Sequence, residues 1–104
     1  MYKIKYSRRR IDGTPIVDYL PEIRTYASQL FRFRSTQPGY VNFTHSLSDD
    51  QLEANAELVF ESEEAYNNCV AAERANVEVS AAVAGMAAFG AEHGIEVSIT
   101  YQTI

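Results

Sequence analysis

Between Gln37 and Tyr66 the chain changes periodicity three times in thirty residues. A Pro38-Gly39 turn opens the stretch. An alternating run follows at 40–47, then the polar loop Ser48-Asp49-Asp50, a second alternating run at about 51–60, and a helix start at Ser62. Successive side chains of a strand point to opposite faces, so period-two alternation marks a strand with one buried face. Two such runs joined by a short polar loop form a hairpin, and the rest of the chain must fold around it.

In the first run Val41, Phe43, His45 and Leu47 are expected on one side, with Tyr40, Asn42, Thr44 and Ser46 on the other. In the second, Leu52, Ala54, Ala56, Leu58 and Phe60 oppose Gln51, Glu53, Asn55 and Glu57. Ser62 is a helix cap with Glu63 and Glu64 in the first turn, where acids suit the helix dipole. Ala65, Tyr66, Cys69, Val70 and Ala72 give that helix its buried stripe, and the region 73–78 reads as a bend. An alanine-rich helix is predicted over about 77–92, with Val79, Val83, Met86, Ala87 and Gly90 inward and Gly94 as its stop.

The flanks complete the pattern. Residues 2–6 alternate, with Tyr2, Ile4 and Tyr6 against Lys3 and Lys5; the chain is then expected to leave the sheet through Arg8, Arg9 and Arg10. Thr14-Pro15 suits the start of a short helical turn. A helix over about 20–35 carries Leu20, Ile23, Ala27, Leu30, Phe31 and Arg34 at three- and four-residue steps. Residues 95–103 alternate throughout. The order β-α-β-β-α-β fits a single α+β domain over residues 1–104: a ferredoxin-like sandwich with a four-stranded antiparallel sheet and its helices on one face. The first strand then lies between the third and fourth.

That placement bears on the charge. Residues 1–34 hold eight basic residues and three acids; residues 35–104 hold one basic residue, Arg74, and eleven acids. Lys3 and Lys5 on a central strand, facing Glu53, Glu57 and Glu96 on its neighbours, neutralise part of this asymmetry within the sheet. The three arginines are left over, as a solvated loop or an anion contact. An acidic total without a basic aromatic face disfavours nucleic acid. No apolar run is long enough for a membrane helix, and nothing at the N-terminus reads as a secretory signal, so the expected location is cytoplasmic. A lone Cys69 allows neither an internal disulfide nor a cysteine-rich metal site.

Pro38-Gly39-Tyr40-Val41-Asn42-Phe43, followed by the hairpin and by Leu58-Val59-Phe60-Glu61-Ser62-Glu63-Glu64-Ala65-Tyr66, resembles the dimeric α/β-barrel superfamily, in particular its antibiotic-biosynthesis-monooxygenase-like domains. The resemblance implies a homodimer whose two sheets face each other, and a pocket between sheet and helices for a small apolar or aromatic molecule. The chain departs from many such proteins in having no histidine on the helix after Ser62. It also contains no tryptophan, which argues against haem degradation. Cofactor-independent oxygenation stays open, with no cofactor or metal expected. His45 is the candidate catalytic acid or base, set against a solvated histidine at a strand end. Tyr26, Phe43, Tyr66 and Tyr101 are the candidate substrate-binding residues, set against ordinary aromatic core packing. The competing function is a non-catalytic structural or interaction module.

Overall fold

Alternation runs further along the first strand than its apolar residues do. In the computed structural model, which describes residues 1–104, β1 spans Tyr2–Arg10. It pairs with β3 (Glu53–Phe60) as far as Arg9 and with β4 (Ile95–Thr103) as far as Arg10. The expected exit at Ser7 is therefore corrected. Arg8 and Arg9 have a paired strand on each side and Arg10 on one, and Arg9 meets Glu53 at 2.8 Å. Tyr2, Ile4, Tyr6, Arg8 and Arg10 share one face, and Lys3, Lys5, Ser7 and Arg9 share the other.

The sheet order is β2-β3-β1-β4 with every neighbouring pair antiparallel, where β2 is Tyr40–Leu47. This is the ferredoxin-like arrangement, with β1 central. Lys3 and Lys5 both reach Glu57, at 3.7 and 3.6 Å. Glu96 lies opposite Arg9 rather than a lysine. Exposed pairs of this kind contribute at most about 1 kcal/mol each, so they set register more than stability.

One irregularity reassigns a face. The pairing of β2 with β3 slips between Tyr40 and Asn42, so Tyr40 stands opposite Phe60 and Asn42 opposite Val59. Val41 is the extra residue of a β-bulge and is 39% exposed. Tyr40, expected outside, instead turns edge-on to Phe60 and Phe31, with ring centroids 6.1 and 6.3 Å away. At the far end of the hairpin, Asp50 accepts from the Ser48 hydroxyl at 2.7 Å and from the Leu52 amide at 3.0 Å. That turn, with Gln51 at φ 62°, keeps Gln51 and Leu52 out of β3.

Three helices cover the face that carries Ile4, Leu58 and Phe60: α1 (Leu20–Ser35), α2 (Glu63–Ala75) and α3 (Val77–Glu92). A 3₁₀ turn at Ile16–Tyr19 leads into α1 and buries Ile16 completely. The Ser62 hydroxyl caps α2, accepting from the Ala65 amide at 3.1 Å. The expected bend after α2 is a single extended residue, Asn76. It ends α2, and its side chain accepts from the Val79 amide at 3.0 Å to begin α3. Gly39 closes the other approach: at φ +84° it lies so near α2 that an added Cβ would stand 2.6 Å from the Ala65 methyl. The core is compact and one-sided, built from Tyr2, Ile4, Leu58, Phe60, Tyr66 and Cys69.

Candidate active site

That core fills only part of the space between the layers. Along β4 the helix-facing residues Val97, Ile99 and Tyr101 remain 44, 45 and 54% exposed. The helix above them offers mostly methyl groups and bare backbone. Ala84, Ala87, Gly90 and Ala91 of α3 leave room between its longer lining side chains, Val83, Met86 and Phe89. A cavity of about 880 Å³ lies there, with the sheet below, all three helices above and a broad opening to solvent. Volumes of roughly 300–1,000 Å³ with apolar walls and a few polar groups are the usual dimensions of small-molecule sites.

The polar groups lie together on one side. Arg34 of α1 donates from Nε to Glu73 Oε1 of α2 at 3.1 Å, and its Nη2 lies 3.0 Å from the same oxygen. Both side chains are almost fully buried. Arg34 Nη1 also donates to the Tyr6 hydroxyl at 3.3 Å. The Cys69 thiol donates to Glu73 Oε2 at 3.8 Å. Burial works against the Arg34 charge, but Tyr6 and Glu73 more than offset it, and its pKa rises. Burial, then the nearby Glu73 carboxylate, pushes the Cys69 thiol up to about 11, so it stays a thiol at neutral pH. Burial and the neighbouring Tyr6 raise the Tyr66 phenol far above its ordinary range, which leaves it a hydrogen-bond donor rather than a base.

Of the residues singled out in the sequence, Phe43, Tyr66 and Tyr101 line this cavity. Tyr26 does not; its ring packs against α3 at Gly85. His45 stands on the helix side of the sheet opposite Ala56, 6.1 Å from the Phe43 ring, but it is exposed and outside the lining. His93 ends α3 and stacks on Phe89 and Tyr19, with ring centroids 4.4 and 4.8 Å away. Tyr6 and Glu73 line the cavity without having been singled out in the sequence, and Arg8 was weighed there only within the arginine run, as a solvated loop or an anion contact. The signals were present: Arg8 continues the Tyr2-Ile4-Tyr6 alternation, and Glu73 follows Cys69 by one helical turn. Among the His, Cys, Asp and Glu side chains, no group of three is placed to hold a metal ion.

No protein-family model matches the chain, and no curated protein matches it in sequence. Solved structures do match it in shape. The cofactor-independent oxygenase SnoaB of Streptomyces nogalater superimposes with a TM-score of 0.68 at 15% identity, over 99% of this chain and 92% of the oxygenase. Rv0793 of Mycobacterium tuberculosis gives 0.69 at 14% identity, over 100% and 95%. An antibiotic biosynthesis monooxygenase gives 0.67 at 10% identity, over 100% and 98%. The chain therefore shares the ferredoxin-like α+β fold of the antibiotic-biosynthesis-monooxygenase domains along its whole length.

Proposed function

We propose that the chain binds a small apolar or aromatic molecule in the sheet–helix cavity and oxygenates it without a cofactor. The cavity carries this reading: it is large, apolar on most sides, and polar at one edge only. The shared fold with a cofactor-independent oxygenase is consistent with it. In such a reaction the substrate supplies the electrons. A ring methylene and dioxygen become a carbonyl and water, and the protein's part is to bind, orient and exclude solvent. Phe43, Tyr66 and Tyr101 give the ring faces, and the protonated Tyr66 hydroxyl is a donor for a substrate oxygen.

Anthrone, whose ring methylene is activated by the opposite ring carbonyl, is a suitable probe. Oxygen uptake above the uncatalysed rate, one O₂ per anthrone, is the expected result. Anthrone binding without uptake reduces the protein to a binder. Failure to bind removes the reading and leaves the structural-module alternative. The same assay tests a proton role for His45, since unchanged uptake by His45→Ala assigns it none.

The outer face of the sheet supports a second element of the proposal. The molecule measures 37 × 31 × 16 Å, two layers thick, so no third layer covers Lys3, Lys5, Asn55, Glu57 and their neighbours. A second copy meeting this face would complete an α/β barrel of two sheets.

A further inference from the structure

The cavity wall carries a cation that nothing in the chain neutralises. Arg8 projects from β1 on the helix side, because alternation from Tyr2 puts it there. Its ladder neighbours on that face are Ala54 on β3 and Val97 on β4, neither of which is acidic. Glu73 is the one carboxylate in the lining, and Arg34 already holds it with two nitrogens. What remains for Arg8 is a contact from Nη2 to the Met86 sulfur at 3.7 Å and the Tyr6 ring, 5.9 Å from its guanidinium carbon. A thioether is a weak acceptor, and a guanidinium has five N–H donors to satisfy. Its opposite-face neighbours Lys5 and Arg9 both have glutamate partners, although their side chains are more exposed and need them less. The other arginine of the wall, Arg74, is exposed near the end of α2.

We infer that Arg8 is an anion anchor: the cavity takes its aromatic ligand as an oxyanion, with a carboxylate or enolate on the Arg8 fork and the rings against α3 and β4. This rests on the cavity reading above and adds the charge of the ligand to it. Burial lowers the Arg8 pKa and the nearby Arg34 charge lowers it further, with Tyr6 opposing both, so the empty cavity penalises this charge. A bound oxyanion reverses the penalty, because a half-buried charge is stabilised by a paired, hydrogen-bonded partner. The planar fork also fixes orientation, since two parallel N–H groups donate to the two oxygens of a carboxylate in one plane.

The test is fluorescence titration of the full chain with 2-naphthoate and its neutral isostere 2-naphthamide. The wild-type chain is expected to prefer naphthoate by about 10- to 100-fold, the range of one charge-assisted hydrogen-bonded contact. Arg8→Met, matched in length and apolar, should lose that preference while keeping its affinity for naphthamide. Arg8→Lys keeps the charge without the fork and should fall between the two; it also reports on the anchor if the methionine variant does not fold. Equal binding of the two probes by the wild-type chain overturns the inference and leaves the cavity reading standing. A preference retained in Arg8→Met also overturns it and moves the anion to Arg34 or Arg74. If neither probe binds, the cavity reading falls, and the anchor with it.

Discussion

Glu73 is the one charged residue of the chain that is buried, and its partner decides whether that is tolerable. Paired with Arg34 and receiving the Cys69 thiol, it links α1 to α2 across the edge of the cavity. A buried pair adds little net stability compared with apolar residues of the same volume, but breaking it by halves leaves a desolvated charge. Glu73→Ala is accordingly expected to cost about 3–5 kcal/mol in urea unfolding. The double replacement Arg34→Met with Glu73→Leu should recover most of that loss. A double variant as unstable as the single one would show that the pair's value lies in its geometry and not in its charge balance.

At the scale of elements, α3 is the part whose composition matters most, because its small residues make the cavity. Gly85 shows how closely the helix is fitted where it does touch. A Cβ there would stand 2.6 Å from Tyr26 Cε1 and 3.1 Å from Cδ1. Gly85→Ala brings a helix-propensity gain of about 1 kcal/mol and an overpacking cost of about 1–3 kcal/mol. Net destabilisation is expected, relieved when Tyr26→Leu is added; a Gly85→Ala chain that melts higher than the wild type contradicts the close approach. Much of this layout was legible beforehand. The order of elements, the bounds of α1 and α3 and the central place of β1 all follow from periodicity. Three things did not. β1 continues to Arg10, and arginine does not advertise a buried face even where alternation puts it on one. Tyr40 faces inward, since a bulge shifts parity without changing composition. The cavity is a shortage of side-chain volume, and alanines at helical spacing read as core whether or not anything lies beneath them. Phe43, Tyr66 and Tyr101, singled out as aromatics, line the cavity, while Tyr26 and His45 do not. Arg8 was weighed only as part of an arginine run, a solvated loop or an anion contact, because composition does not single out one arginine of three.

For the molecule as a whole, a layer of helices on one face leaves the other face bare. Sedimentation equilibrium is expected to give twice the mass of the chain, 11.7 kDa each. Glu57→Lys, which sets three cations together on the outer face, should shift the balance toward the single chain. A single-chain mass at high concentration rules the pairing out. Stability and occupancy are also joined, because any molecule that fills the cavity raises the melting temperature by mass action. A last consequence comes from the bulge at Val41. In a paired strand, losing one residue turns every later side chain over to the wrong face. β2 is the exception, since its ladder already skips Val41, and Tyr40 and Asn42 face opposite ways with or without it. β2 thus holds one spare link, a residue that can be lost from within a paired strand while inside and outside stay in order.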